Sequence, residues 1–279
     1  MIAPMIIPAL THIINLSIET STFPKNWKYS KVIPLFKKDD PLNPKNYRPV
    51  ALVPILSKVL ERAVFLQIVE YMELNDLYHP SHHGYRASHN TCTALLELYD
   101  CLVDALERGE LTGVMLIDLS AAFDCVDHQL LLRKMEVLGF DCKSVGWCRD
   151  YLKDRYQCVY IDGAQSSFHR VDVGVPQGSI LGPLFYILFT NDLPEIIHEE
   201  SCPLNKCMAG IFNTMCPECG GLVAFADDST VTVSDISPAR LTEKLSVKFE
   251  KISEYFAKNK LKVNDDKTHL MVLTSSRQA

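Results

Sequence analysis

The C-terminal half of the sequence predicts an α+β fold, a split β-α-β arrangement in which an antiparallel sheet is backed by helices. Three observations carry it. Val114–Asp118 (VMLID) is a short apolar run ending in an acid, the pattern of a buried strand. Residues 222–234 (LVAFADDSTVTVS) form two apolar runs around a tight polar turn, the pattern of a β-hairpin. Leu241–Phe256 carries apolar residues at helical spacing, and 269–275 (HLMVLTS) follows as a strand. With a helix between the first strand and the hairpin, the order is strand, helix, hairpin, helix, strand.

The remaining elements follow from local signals. Residues 1–17 are apolar but contain Pro4 and Pro8 and have no basic residue ahead of them, so they read as an apolar segment ending in a helix, not a signal peptide. No apolar run reaches the roughly 18 residues of a membrane span. Five prolines within residues 27–56 favour strands and turns over helix. Helices are predicted at Ser57–Leu74, at Thr91–Glu107 with Gly109 as the stop, and at 127–138 and 143–153. Residues 156–163 (YQCVYIDG) and 167–174 (SFHRVDVG) alternate like a hairpin. Leu181–Leu193 reads as a helix that tolerates Pro183 in its first turn. Residues 198–221, with scattered Cys, Gly, Asn and Pro, read as an inserted loop.

Ten scattered cysteines suit a reduced, intracellular compartment, nucleus or cytoplasm, better than a disulfide framework. The net charge of −6 argues against a protein whose main task is to coat nucleic acid. The charge is uneven. Residues 1–62 hold nine Lys and Arg against four acids, a balance of +5 that leaves −11 for the rest. A basic part beside an acidic one fits an enzyme that grips phosphates with one and metal ions with the other; a solvated charged surface is the plainer reading.

Asp118 ends one predicted strand, and Asp227 and Asp228 lie at the tip of the predicted hairpin. Carboxylates at the ends of apolar strands are costly to bury without positive charge. Neighbouring strands of a split β-α-β sheet would bring the three together, and a divalent cation would relieve their repulsion. Mg²⁺, or Mn²⁺ in its place, takes a few carboxylates together with waters and phosphate oxygens. A pair of such ions activates an attacking hydroxyl and stabilises the leaving oxygen in phosphoryl transfer. On its own, an acid pair in a hairpin is usually only a turn.

Six motifs in order resemble the reverse transcriptase domain of non-LTR, LINE-type retrotransposons. LIDLSAAFD (116–124), GVPQGSILGPLFYILFTNDL (174–193) and FADDSTV (225–231) are similar to three palm motifs, and LKVNDDKTHLMVL (261–273) to a fourth. Residues 23–64 and HHGYRASHNTCTAL (82–95) resemble the fingers region. The resemblance spans about residues 10–275. Ala226 before the two aspartates points to the non-LTR branch.

The resemblance implies a right-hand polymerase fold of fingers and palm. The N-terminal segment and fingers would occupy residues 1–110, with fingers elements recurring at 141–175. The palm would occupy 111–279 and carry the insert 198–221. It implies RNA-directed DNA synthesis, with an RNA template, a DNA primer (nicked target DNA in this family) and dNTPs as partners, and no membrane. Asp118 and Asp227 would hold the catalytic metals, with Asp228 as the more dispensable acid beside them. Phe123 matches the steric gate that selects deoxynucleotides, against a plain reading as core packing. Gln177 and Gly178 match positions beside the incoming nucleotide. Lys37, Lys38 and Arg48 match triphosphate-binding positions of the fingers. Arg86 matches a template contact, and Lys267 a lysine near the leaving pyrophosphate, where a plain surface lysine is the commoner case. Asp124 and Asp127 read as helix N-terminal acids.

In the insert, Cys202, Cys207, Cys216 and Cys219 have the residue types of a structural zinc site. The loose spacing of the first pair favours a reduced, unliganded loop. The family's upstream endonuclease and its thumb have no counterpart in this stretch, which suggests a fragment. The rival readings are a truncated, inactive remnant that only binds nucleic acid, and a nucleotidyl cyclase built on a similar palm. The cyclase leaves the fingers motifs and VPQGS unexplained.

Overall fold

The computed structural model describes residues 3–197 and 220–274. Contacts divide them into two compact units. One comprises the residues up to Leu77 together with Phe123–Leu188; the other comprises Tyr78–Ala122 and the described residues from Phe189 onward.

The first unit opens with helix α1 (Ala3–Glu19). The helix starts earlier than expected, with Pro8 inside it. Pro4 sits in the first turn, where its missing N–H costs nothing, and Pro8 forfeits a single bond near the helix start. Strands β1 (Tyr29–Phe36) and β2 (Tyr47–Leu52) pair antiparallel from Lys31↔Leu52 to Phe36↔Tyr47, in the proline-rich stretch where strands were expected. Helix α2 (Ile55–Leu74) follows, starting directly after Pro54.

Helix α3 (Thr91–Glu107) belongs to the second unit and has the predicted bounds. Asn90 caps it: its side chain accepts from the Cys92 and Thr93 N–H groups while Thr93 Oγ1 accepts from the Asn90 N–H, a reciprocal capping box. Strand β3 (Leu111–Ile117) begins three residues before the expected Val114. Partners on both sides recruit Thr112 and Gly113 into the ladder despite their low apolarity.

Back in the first unit, α4 (His128–Val137) is N-capped by Asp127 and α5 (Cys142–Leu152) by Asp141. Strand β4 (Arg155–Ile161) then pairs parallel with β1, with β5 (Ala164–Gln165) and β6 (His169–Val171) folding back onto it antiparallel. Helix α6 (Leu181–Thr190) ends before the predicted Leu193, and a 3-10 turn at Leu193–Ile197 continues the chain. Buried Glu61 of α2 accepts from the Ile180 N–H at 2.8 Å and so satisfies a donor at the start of α6.

The second unit's sheet has the strand order β7-β8-β3-β9, all antiparallel. Strands β7 (Gly221–Phe225) and β8 (Asp228–Asp235) form the predicted hairpin, and β9 (His269–Leu273) flanks β3 on the other side. Helix α7 (Pro238–Lys258) buries Leu241, Leu245, Ile252, Tyr255 and Phe256, the stripe expected from spacing. Four buried apolar side chains of β3 and β8 (Val114, Ile117, Val231, Val233) contribute about 1.5–3 kcal/mol each. The antiparallel sheet backed by helices is the α+β architecture the sequence predicted. The cysteine-bearing insert lies, but for Gly220 and Gly221, outside the described residues, and with it Cys202, Cys207, Cys216 and Cys219.

Candidate active site

The three aspartates meet at one end of the second unit's sheet. Strand β3 runs in register with β8 up to Ile117↔Ser229, so the next residue, Asp118, stands opposite Asp228. Phe225 pairs with Asp228, which leaves Ala226 and Asp227 as a two-residue turn. Ala226 has φ +56°, a left-handed conformation that costs a non-glycine residue about 1 kcal/mol or more.

The electrostatics follow from the crowding. The Asp228 carboxyl is raised above the usual carboxylate range, first by burial and then by the negative charges of Asp227 and Asp118, with Lys267 opposing. Among the described residues, no three His, Cys, Asp or Glu side chains close on a common metal-holding point. The donor set nevertheless suits a hard divalent cation: three carboxylates whose repulsion already lifts one of them.

Asp118 is held by an asparagine that sequence reasoning did not single out. Asn264 Nδ2 donates to Asp118 Oδ2 at 2.8 Å, and its backbone N–H donates to Asp118 O at 2.9 Å. Leu119 bridges to Val263, and the Ser120 N–H donates to Lys262 O. Lys267 reaches the same carboxylate, with Nζ 3.7 Å from Oδ2, and is itself mostly exposed. Asn264 lies inside the fourth palm-like motif, but nothing in the motif distinguishes an asparagine that clasps Asp118 from one that merely turns the chain.

The nucleotide-binding candidates other than Lys267 belong to the first unit. Arg48 on β2 is opposite Leu35, and the Lys37 N–H donates to Asn46 O, so Lys37 and Arg48 share one face of the strand pair. Lys37, Lys38 and Arg48 are all exposed. The loop holding Gln177 and Gly178 docks on β2: the Ala51 N–H donates to Gln177 O at 2.6 Å. Gly178 has φ +121°, and a Cβ there would lie 2.5 Å from Ala51 O, so only glycine fits.

The Gln177 side chain donates to both Asp124 oxygens at 2.9 Å. Asp124 therefore differs from the expected helix-terminal acid: it sits in a 3-10 turn, and its carboxylate bonds a loop glutamine. Burial raises its carboxyl above the ordinary range, while Gln177 and the positive charge of Lys37 oppose the rise. Asp127, by contrast, is the helix cap expected of it. Phe123 is half-buried and lies 4.7 Å from the Tyr186 ring centroid; its carbonyl accepts from the Val175 N–H.

Arg86 falls in the second unit, where Nη1 donates to the carbonyls of His79 and His82 and the guanidinium lies over the Tyr78 ring. His82, just before it, is buried; with a carbonyl as partner, its Nε2 must donate to Thr190 O. Burial lowers its pKa from 6.5 to about 4. The geometry thus brings Asp118, Asp227, Asp228 and Lys267 together in one unit, and Lys37, Arg48, Gln177 and Gly178 around β1 and β2 in the other.

A family model described as reverse transcriptase (RNA-dependent DNA polymerase) matches residues 36–278. The chain is 28% identical over 270 residues to a protein named as a probable RNA-directed DNA polymerase from transposon X-element of Drosophila melanogaster, covering 96% of this chain and 28% of that one. It is 30% identical over 260 residues to a similarly named protein from transposon BS of the same species, covering 93% of this chain and 27% of the relative. The chain thus spans a little over a quarter of the length of these curated relatives. Among solved structures, an apo telomerase from Candida tropicalis matches with a TM-score of 0.60 at 14% identity, over 90% of this chain and 51% of that one, a likeness of fold. With the motifs in order and the family model matching most of its length, the chain belongs to the reverse transcriptase (RNA-dependent DNA polymerase) family.

Proposed function

We propose that this chain is the catalytic part of an RNA-directed DNA polymerase that extends a DNA primer 3′-OH along an RNA template with dNTPs. The observation that carries the reading is the placement of Asp118 opposite Asp228 at the end of β3, with Asp227 in the adjoining turn. Asp118, Asp227 and Asp228 would hold Mg²⁺, with Mn²⁺ as substitute, which when bound supplies hydroxyl activation and charge stabilisation for phosphoryl transfer. The clasp of Asn264 fixes the Asp118 carboxylate before substrate arrives, so little reorganisation remains for the reaction itself. Lys267 offsets part of the negative charge there and can donate a proton to the departing pyrophosphate.

In this reading Lys37, Lys38 and Arg48 bind the triphosphate, Gln177 and Gly178 shape the place of the nucleotide, and Phe123 excludes a 2′-hydroxyl. The amide of Gln177, held by Asp124, keeps a fixed orientation. Arg86 orders its own loop as well as serving as the candidate template contact. Fingers at residues 1–110 and palm at 111–279 remain the functional division we propose; the compact units cut across it, with Tyr78–Ala122 packing in the unit that carries β3 and Phe123–Leu188 in the unit that carries β1 and β2. The site of action is intracellular. The test is primer extension on poly-A with an oligo-dT primer in Mg²⁺ or Mn²⁺. Template-dependent product is expected; nucleic-acid binding without any extension would replace this reading with that of a binding remnant.

A further inference from the structure

We propose that His83, Glu97 and Gly84 are positioning residues that lock the Ala226–Asp227 turn in place. Thr93 and Glu97 lie one turn apart on α3 and both face His83. His83 Nε2 is 2.6 Å from Glu97 Oε2, and Nδ1 is 2.9 Å from Thr93 Oγ1. The Thr93 hydroxyl already donates to Asn90 O and accepts from the Asn90 N–H. A carboxylate can only accept, so Nε2 donates to Glu97, and Nδ1 is bonded to the Thr93 hydroxyl. His83 is thus tied by both ring nitrogens to α3, with Nε2 against the Glu97 carboxylate. The pair is nearly dry, with side chains 6% and 14% exposed, and Glu97 Oε1 is buried without a hydrogen-bond partner. A buried polar pair so imperfectly satisfied is a poor source of stability. Holding the backbone of residues 81–84 in one place is a better account of it.

That backbone bears directly on the catalytic hairpin. The His83 N–H donates to Ala224 O at 2.8 Å, and the Ala224 N–H donates to Ser81 O at 2.9 Å, so residues 81–83 clip onto the outer edge of β7. Gly84 then presses against the turn: a Cβ there would lie 2.4 Å from Ala226 N and 3.1 Å from its Cα. Ala226 is the left-handed residue next to Asp227, and a strained conformation persists only where its surroundings over-determine it. The line of contacts runs from α3 through His83 and the β7 edge to Gly84 and the turn, so α3 sets the position of Asp227.

This inference rests on the polymerase reading for its consequence, and the experiment separates the two. In Glu97→Gln the shape is kept and the charge removed; in Gly84→Ala a methyl group is driven against Ala226 N. Removing a group that orients a metal ligand costs about 10–100-fold in activity or metal affinity. We expect kcat to fall about 10-fold in Glu97→Gln and further in Gly84→Ala, with the KM for dNTP unchanged within about twofold. Mn²⁺ binding measured by calorimetry should weaken about 10-fold, and the Ala224 amide should exchange hydrogen faster. Where Gly84→Ala fails to fold, Glu97→Gln carries the test. A folded Glu97→Gln protein with wild-type kcat, Mn²⁺ affinity and Ala224 exchange overturns the inference, as does a raised KM with kcat intact. If the wild-type chain neither extends a primer nor binds Mn²⁺, the polymerase reading fails. Amide exchange at Ala224 then still decides the lock: faster exchange in Glu97→Gln supports it, and unchanged exchange overturns it.

Discussion

Buried residues run almost unbroken along β7 and β8 and through the middle of β3, whereas β1 alternates buried and exposed residues over its first half and β4 buries only Arg155 and Cys158. The first pattern belongs to strands covered on both faces, the second to a sheet with one face towards solvent. Each suits what its residues are proposed to do. Carboxylates whose spacing must hold to fractions of an ångström sit at the end of strands packed into the core. Cations that must meet a mobile, hydrated triphosphate sit on an open strand pair, where Lys37 and Arg48 stay solvated until substrate displaces the water. Rigidity serves the chemical step and access serves binding. Substitutions in the two sheets should therefore separate into kcat and KM effects.

The largest expected effect is on the closed sheet. Asp118→Asn and Asp227→Asn should each lower primer extension by about a thousandfold or more while template binding, read by fluorescence anisotropy, stays near normal. Asp228→Asn should be milder. Near-normal extension by Asp118→Asn would break the comparison at its root. The same closure makes this unit sensitive to acid through His82. Its pKa is about 4 in the folded protein against 6.5 unfolded, so the unfolded chain takes up the proton first. The contribution is fully present above about pH 6.5 and is lost as pH falls towards 4, by about 3 kcal/mol. Urea unfolding at several pH values should show that slope in the wild type, and a flatter one in His82→Gln.

On the open sheet, Arg48→Ala should raise the KM for dNTP about 10-fold and change kcat much less, because a lost phosphate contact weakens binding more than chemistry. A fall in kcat alone would place Arg48 with the catalytic acids and erase the contrast. A further effect concerns discrimination. Phe123→Ala should raise the kcat/KM for a ribonucleotide, relative to the matching deoxynucleotide, by about 10-fold. An unchanged ratio in a folded variant would leave Phe123 as a packing partner of Tyr186.

Sequence reading succeeded where the signal is local and failed where it is not. The bounds of α3 were legible because Asn90, Thr93 and Gly109 mark both ends within a few residues. The hairpin of β7 and β8 was legible because its turn is flanked by its own partners. The aspartates could be placed near one another once β3 and β8 were taken as neighbours, since a shared register needs only strand order. The clasp of Asn264 on Asp118 and the clip of residues 81–83 on Ala224 join residues more than a hundred positions apart, and no periodicity announces such a contact. Asp124 was misread for a related reason. An acid before a helix looks like a cap, and only the return of the chain at Gln177 gives it another partner. In α1, Pro4 and Pro8 lie within the first two turns, where the helix absorbs them.

The register of β3 between β8 and β9 also bears on how the molecule comes into being. Strand β3 ends at Ile117, yet the partner on one flank begins at Asp228 and the partner on the other at His269. A ribosome adding about 5–20 residues per second takes roughly ten seconds or longer to travel from the first of these to the last. During that time an apolar strand with two unpaired edges waits in the nascent chain, the kind of segment that holding chaperones and aggregation compete for. Asp118 cannot be clasped until Asn264 has been made, so closing the site is one of the most non-local events in the fold.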